Sequence, residues 1–407
     1  MDNSIFKKIG KSGNVFFFSI LLMICVMLVP DLNTIGTETI IIVFCLSVTT
    51  VLSLLKRLSP SLRGILFVMF VYFLIIVFYK IIGISTAWWD IAAGYFGWLL
   101  CAIVSSIAVF SLSNKKILIT KWLIYIVSLI VLIYVSVISS KNMMTMNIED
   151  AISQESASYG TSIMLFSGIS TIGFFNTQKK IVKLLYLIGA ILSMYVTIEV
   201  MQRGTNVIMS VILLVSIAIF QFVNIKSTLR FIVILSFIIL FLYQSGVIFS
   251  LLDYVANSIS TDRIAIRINA LNYYLQYGDA VGAGSSMATR SELMHRSLNT
   301  FSDSYVNVLF GVGDHRGIGS PVGNHSEILD VLARYGIIGF TIVFIMFKRL
   351  FMYWYRLLDF NKKIQYQVLA ILTIFIARNF WGFSLTSAIS ILLFLYMPLV
   401  LRLTKTK

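Results

Sequence analysis

The sequence predicts an all-α polytopic membrane protein with about 12 transmembrane helices, and three observations carry that prediction. The chain of 407 residues is 58% hydrophobic and only 12% charged, about half the charged share of a soluble globular domain. Apolar runs of about 20 residues, enough to cross a hydrocarbon core of about 30 Å, recur along its whole length. The polar connections between those runs segregate by charge.

The runs lie at roughly 15–30, 38–55, 64–84, 91–112, 121–140, 159–177, 181–200, 205–223, 230–250, 326–347, 364–380 and 384–401. Lys7, Lys8 and Lys11 precede the first. With the N-terminus cytoplasmic, the inner connections hold Lys56, Arg57, Arg63, Lys115, Lys116, Lys121, Lys179, Lys180, Lys183, Lys226, Arg230, Lys348, Arg349, Arg356, Lys362 and Lys363, and the C-terminus adds Arg402, Lys405 and Lys407. In all, 22 of the 32 basic residues fall inside, with Asp2 and Asp359 the only acids there, while 10 basic and 15 acidic residues fall outside. The positive-inside rule therefore puts both termini in the cytoplasm. The formal charge of +15, which in a soluble chain would suggest nucleic acid, is read here as a topology signal, and no nucleic-acid partner is expected. No small-x-small cleavage site precedes Pro30 and Asp31, so the first run is expected to stay as a membrane helix. Cys25, Cys45 and Cys101 all fall within spans and read as packing residues.

These spans divide the chain into a nine-helix region, 1–250, an external loop, 251–325, and a three-helix region, 326–407. A long loop in a compact fold is usually functional. This one holds His295, His315 and, at its junction with the tenth span, His325, together with Arg263, Arg267, Arg290, Arg296 and Arg316. Arginine matters because its fork binds phosphate or carboxylate bidentately, where lysine offers a point charge. Ile264, Ile268, Leu271 and Leu275 follow helical spacing, with Arg263 and Arg267 on the neighbouring face. Met287, Met294, Leu298 and Phe301 form a second stripe, on which Arg290 falls while Arg296 points away. A charge on an apolar stripe needs a partner. For Arg290 that is a substrate anion, or else snorkelling at the interface or a pair with Glu292 or Asp303.

A tight turn follows at Phe310-Gly311-Val312-Gly313-Asp314, then Gly317, Gly319, Pro321 and Gly323, then Asn324-His325-Ser326-Glu327. His325 stands at the mouth of the tenth span, where an imidazole of unperturbed pKa about 6.5 suits general-base work; the plain alternative is a capping or interface histidine. Leu329, Leu332, Gly336 and Gly339 continue that helix face, the glycines permitting close packing. Glu327 either orients His325 or caps the helix N-terminus. Asp330 and Arg334, four apart, read as a structural ion pair. Trp88, Trp89 and Asp90 read as interface residues, while Arg378 and Trp381 either touch a sugar or diphosphate or anchor the interface.

The Gly-x-Gly turn at Gly311 and Gly313, the Gly-x-His-Ser at 323–326 and the run from Ile328-Leu329-Asp330 to Tyr335-Gly336-Ile337-Ile338-Gly339 resemble the signature of the O-antigen ligase and polymerase superfamily. These are bacterial polytopic glycosyltransferases of the C type with a large external loop late in the chain. Gln202-Arg203-Gly204-Thr205 is similar to the family's Ser-Arg-Gly step, with Gln202 in place of Ser, and Arg290 resembles its arginine ahead of the Gly-x-Gly turn. The resemblance implies a GT-C-like fold in the bacterial plasma membrane. It also implies inverting transfer of a glycan from undecaprenyl diphosphate on the outer face; no cofactor is expected.

In the polymerase branch the acceptor is another lipid-linked repeat unit of O-antigen or capsule; in the ligase branch it is lipid A core. The His-Ser-Glu variant and the divergent loop favour polymerase. The resemblance further implies the lipid bilayer, a chain-length regulator and a flippase as partners. For that chemistry the sequence offers His325 to the acceptor hydroxyl and Arg203, Arg290 and either Arg263 or Arg267 to the diphosphate, with Arg263, Arg267, Arg296, Glu327 and Arg378 as substrate-binding candidates. No Asp-x-Asp or His-x-x-x-His spacing offers a metal site. The rival classes are a transporter or lipid-oligosaccharide flippase and a structural assembly factor. A carrier would show an internal repeat, and none is evident.

Overall fold

An apolar chain in lipid must satisfy its own backbone hydrogen bonds, which leaves helices as the default. In the computed structural model, residues 10–28, 60–82, 98–99, 101–109, 112–145, 148–200, 204–222, 237, 240–258, 262–278, 285–315, 319–323, 326–358, 362–380 and 387–404 are described, and all their regular structure is helical. The elements are α1 (Gly10–Leu28), α2 (Pro60–Ile81), α3 (Asn114–Thr145), α4 (Ile148–Asn176), α5 (Lys180–Tyr195), α6 (Gly204–Phe222), α7 (Val247–Ser258), α8 (Asp262–Tyr277), α9 (Ser285–Ser302), α10 (Tyr305–Phe310), α11 (Glu327–Leu358), α12 (Lys362–Phe380), α13 (Ser387–Ile391) and α14 (Met397–Thr404). Wide π-type turns continue α5 over Val196–Val200 and join α13 to α14 over Leu392–Tyr396.

Three helices among the described residues are long and apolar enough to cross a membrane: Asn114–Ser136, Lys180–Ile198 and Glu327–Met352. Phe16–Leu28, Phe70–Ile81, Asn206–Phe222, Val247–Ser258 and Ala388–Arg402 are shorter apolar helices. The expected span at 38–55 lies outside the described residues. Outward faces are apolar: Phe67, Phe70 and Phe78 on α2, Ile126, Ile130 and Ile133 on α3, and Ile181, Leu184, Ile188 and Ile191 on α5 are all exposed. Stripes of this kind cost about 25 cal/mol per Å² in water and nothing against lipid tails.

Inside, small and polar residues let the helices close up. Gly173 faces the Tyr186 ring, Gly168 faces Leu213 and Gly189 faces Tyr125. Buried Ser193 and Thr197 return their hydroxyls to Gly189 and Ser193 carbonyls at 2.7 and 2.8 Å, the usual accommodation of hydroxyls in a helix.

Basic residues that the sequence assigns to the inner side bond across to neighbouring helices. Lys116 donates to Asn14, Arg349 to the Gly64 carbonyl, Lys363 to the Gln221 carbonyl and Arg402 to the Val109 carbonyl. Arg378 and Asn206, at ends assigned to the other side, join each other at 2.9 Å.

Two boundaries differ from the sequence reading. The chain turns at Ser245–Gly246, where Gly246 takes a φ of 75°, and α7 runs through the expected 250/251 border. Its apolar residues read as the tail of a span, whereas the glycine turn is what redirects the chain. The α7 and α8 helices then run antiparallel: Tyr243 donates to the Leu275 carbonyl, and Asn272 donates to the Phe249 carbonyl and the Asp253 carboxylate. At the other border, α11 extends to Leu358 and is broken at Gly336, with φ 60° and ψ −168°. Gly336, expected to permit close helix packing, does so against Leu309 of α10 and also interrupts the helix.

Candidate functional site

The break at Gly336 organises the loop ahead of α11. In a continuous helix the carbonyls of Ala333 and Arg334 would receive Ile337 and Ile338. Here they accept from the loop amides of Val312 and Gly313, at 2.9 and 2.8 Å. The approach is backbone on backbone. A Cβ on Gly311 would overlap the Arg334 carbonyl, and one on Gly336 would overlap the Leu309 carbonyl. Gly311 and Gly336 also have φ of 75° and 60°, the left-handed region that glycine enters without strain.

This docking buries Asp314 completely. Its carboxylate accepts the Tyr335 hydroxyl on both oxygens, each at 2.8 Å, and the Arg334 guanidinium lies 3.7 Å away. Tyr335 packs edge-on against Tyr72 and stacks with Tyr79 of α2, and the Tyr79 hydroxyl reaches the Phe310 carbonyl. A buried carboxylate requires such partners, because its desolvation is otherwise very costly.

The far end of the loop is held from α9. Thr300 donates to the Pro321 carbonyl at 2.6 Å. Ser297, fully buried, donates to Asp330 at 2.6 Å and accepts the Gly323 amide at 2.8 Å. Gly323 sits against the Leu293 carbonyl with no room for a Cβ. Ser320 ties the two ends together, its hydroxyl meeting the carbonyls of His315 and Val322 and the Val322 amide. Ser326 then opens α11, its carbonyl accepting the Asp330 amide at 2.7 Å.

The expected site residues fall as follows. His325 and Arg203 lie outside the described residues, as do Gln202, Arg316, Trp88, Trp89, Asp90 and Trp381. His325 is nonetheless bracketed in the chain by Gly323 and Ser326, both fixed. Arg263 and Arg267 belong to the first turns of α8. Arg290 is half-buried on α9, where burial lowers its proton affinity, and no hydrogen bond or ion pair engages it among the described residues. It shares a helix face with Leu293, Ser297 and Thr300, at intervals of three, seven and ten residues.

Glu292, one of the candidate partners for Arg290, pairs instead with Arg296 at 2.7 Å on an exposed face. Arg296 is thus a surface ion-pair residue. Glu327 is buried in the first turn of α11, the position of the helix-capping reading. Arg378 is buried and donates to Asn206, in the first turn of the helix that follows Arg203. Asp330 and Arg334, expected to pair, each have a partner that their spacing did not reveal, Ser297 and Asp314.

On α9, Arg290, Met294 and Phe301 of the expected stripe are partly buried. Leu298, on the expected apolar stripe, is 44% exposed, and the face that docks is the hydroxyl-bearing one. Asp314, Ser297 and Tyr335 were not anticipated as site residues. The one signal was the Gly-x-Gly-Asp turn itself, which needs something to pack against. Among the described residues no cluster of three metal-binding side chains occurs. The structure therefore joins a half-buried cation on α9 to a stapled loop at the mouth of α11. No family model matches the chain, and no curated protein matches it.

Proposed function

We propose that the chain is a polysaccharide polymerase of the bacterial plasma membrane. It moves a glycan from undecaprenyl diphosphate to the non-reducing sugar of another lipid-linked repeat unit on the outer face. The observation that carries this reading is the half-buried Arg290, without a polar partner among the described residues, on the same α9 face that clamps the loop leading to His325. A desolvated guanidinium is suited to an anion of the diphosphate kind. His325, two residues beyond the clamped Gly323, is the base.

In the transfer, the acceptor hydroxyl attacks the anomeric carbon as His325 takes its proton. The bond from that carbon to the diphosphate oxygen breaks with inversion, and Arg290 and Arg203 receive the charge on the departing diphosphate. A positioned base contributes about two to four orders of magnitude, and preorganised cations contribute about as much. Arginines perform the electrostatic work that a metal does in other glycosyltransferases. The twelve-span GT-C-like architecture with both termini cytoplasmic belongs to the same proposal. It is supported by the exposed apolar stripes and by the way helix ends of like assignment meet.

The test is complementation of a strain lacking the chain. His325→Ala and Arg203→Ala variants that insert at the wild-type level are expected to leave only single repeat units. An unchanged chain-length ladder would overturn the reading. Loss of all glycan from the core, single units included, would replace polymerase by ligase.

A further inference from the structure

The Asp314–Tyr335 pair is a fully buried polar contact at the mouth of α11, and the chemistry of transfer makes no direct use of it. Asp314 is 0% exposed and Tyr335 1%. The tyrosine hydroxyl sits 2.8 Å from both carboxylate oxygens, its one proton shared between them. The flanking amides of Val312 and Gly313 are bonded to carbonyls of the same helix turn, so side chain and backbone fix one short segment together. From that segment order is passed on. Ser320 bonds the His315 carbonyl and both ends of Val322, and Ser297 holds the Gly323 amide.

We propose that Asp314 and Tyr335 are positioning residues of the transfer site: their buried pair seats the Gly311–His315 segment in the break of α11, in the loop that precedes His325 in the sequence. The proposal rests on the polymerase reading and goes beyond it, because neither residue touches substrate. A reacting group displaced by about 1 Å can lose about a hundredfold in rate, so a clasp of this kind acts on turnover and leaves substrate binding alone. The rings of Tyr72 and Tyr79 that flank Tyr335 belong to α2. They keep the Tyr335 ring in place when only its hydroxyl is removed, and Asp314→Asn separates the carboxylate bond from any contact of that hydroxyl with Tyr72.

The experiment uses the full-length protein in liposomes, with lipid-linked oligosaccharide extracted from a strain lacking this chain as both donor and acceptor. Amide exchange of the 311–315 segment is followed in the same preparations. For Tyr335→Phe, exchange about tenfold faster is expected, since the lost bond is one to a charged acceptor. With it kcat should fall about tenfold or more at an unchanged KM. Asp314→Asn, which keeps the shape but removes the charge, is expected to do the same and serves if the first variant does not accumulate.

Faster exchange with wild-type kcat would make the clasp merely structural and overturn the proposal, as would unchanged exchange or a change confined to KM. Wild-type protein that elongates no glycan would overturn the polymerase reading and the transfer role with it. Active wild-type protein with an unaffected Tyr335→Phe would overturn the clasp alone.

Discussion

Arg290 and Arg296 stand six residues apart on α9 and are expected to behave oppositely. Arg296 already has a carboxylate, Glu292, at 2.7 Å, and both side chains are solvent-exposed enough for water and salt to screen them. Such pairs contribute about 0–1 kcal/mol. Arg296→Ala should therefore leave chain length within about twofold of wild type. Arg290 is half-buried with no polar partner among the described residues, a cost that substrate charge offsets in the proposed transfer. Arg290→Ala is expected to lower turnover by about two to three orders of magnitude, with Arg290→Lys restoring part of it as a point charge without the fork. Initial rates on extracted lipid-linked oligosaccharide check both, and equal losses in the two alanine variants would refute the distinction.

At the scale of elements, the loop and α11 are fitted to each other through two glycines. Any side chain on Gly311 or Gly336 meets the opposite backbone, and both residues have φ values that L side chains rarely adopt. The conformational term alone is about 1–3 kcal/mol per site. Gly336→Ala and Gly311→Ala should each lower the melting temperature in detergent, and the double variant should cost less than the sum because the two clashes share one interface. Strict additivity would contradict the shared contact.

Ser297→Ala leaves Asp330 short of a donor and the Gly323 amide without its acceptor, at about 1–3 kcal/mol. Loss of transfer beyond that stability cost is expected, measured as turnover per folded protein. How much of this was legible follows from the kind of signal involved. Helices α8 and α9 were readable from apolar spacing at 264–275 and 287–301, since periodicity is local. The Gly-x-Gly turn and the mouth of α11 were readable as a motif. The docking face of α9 was not, because Ser297 and Thr300 on a helix look like solvent-facing residues until a loop amide and a carbonyl are placed against them. Asp314 and Tyr335 lie 21 residues apart, and nothing local in either position announces the other.

Across the whole molecule the charge pattern makes a claim that the helix contacts support by a separate route. The inner count places Asn14 with Lys116, Gly64 with Arg349, and Gln221 with Lys363 on one side, and these same pairs are hydrogen-bonded. It places the start of α6 and the end of α12 on the other side, where Arg378 meets Asn206. An odd number of misassigned spans between any of these partners would put bonded groups about 30 Å apart, across the hydrocarbon core. The pairing therefore constrains parity between the helices even where intervening residues are not described. Orientation in absolute terms rests on the bias of lysine and arginine alone. An alkaline phosphatase domain, active only outside the cytoplasm, is expected to be active when inserted between α8 and α9 at residue 281. The same domain should be inactive when fused after Lys407 or between α11 and α12 at residue 360. Activity at 360 with silence at 281 would invert the molecule and move the stapled loop, with its arginines, to the cytoplasmic face. Activity at both would break the parity on which the placement of His325 and Arg203 depends.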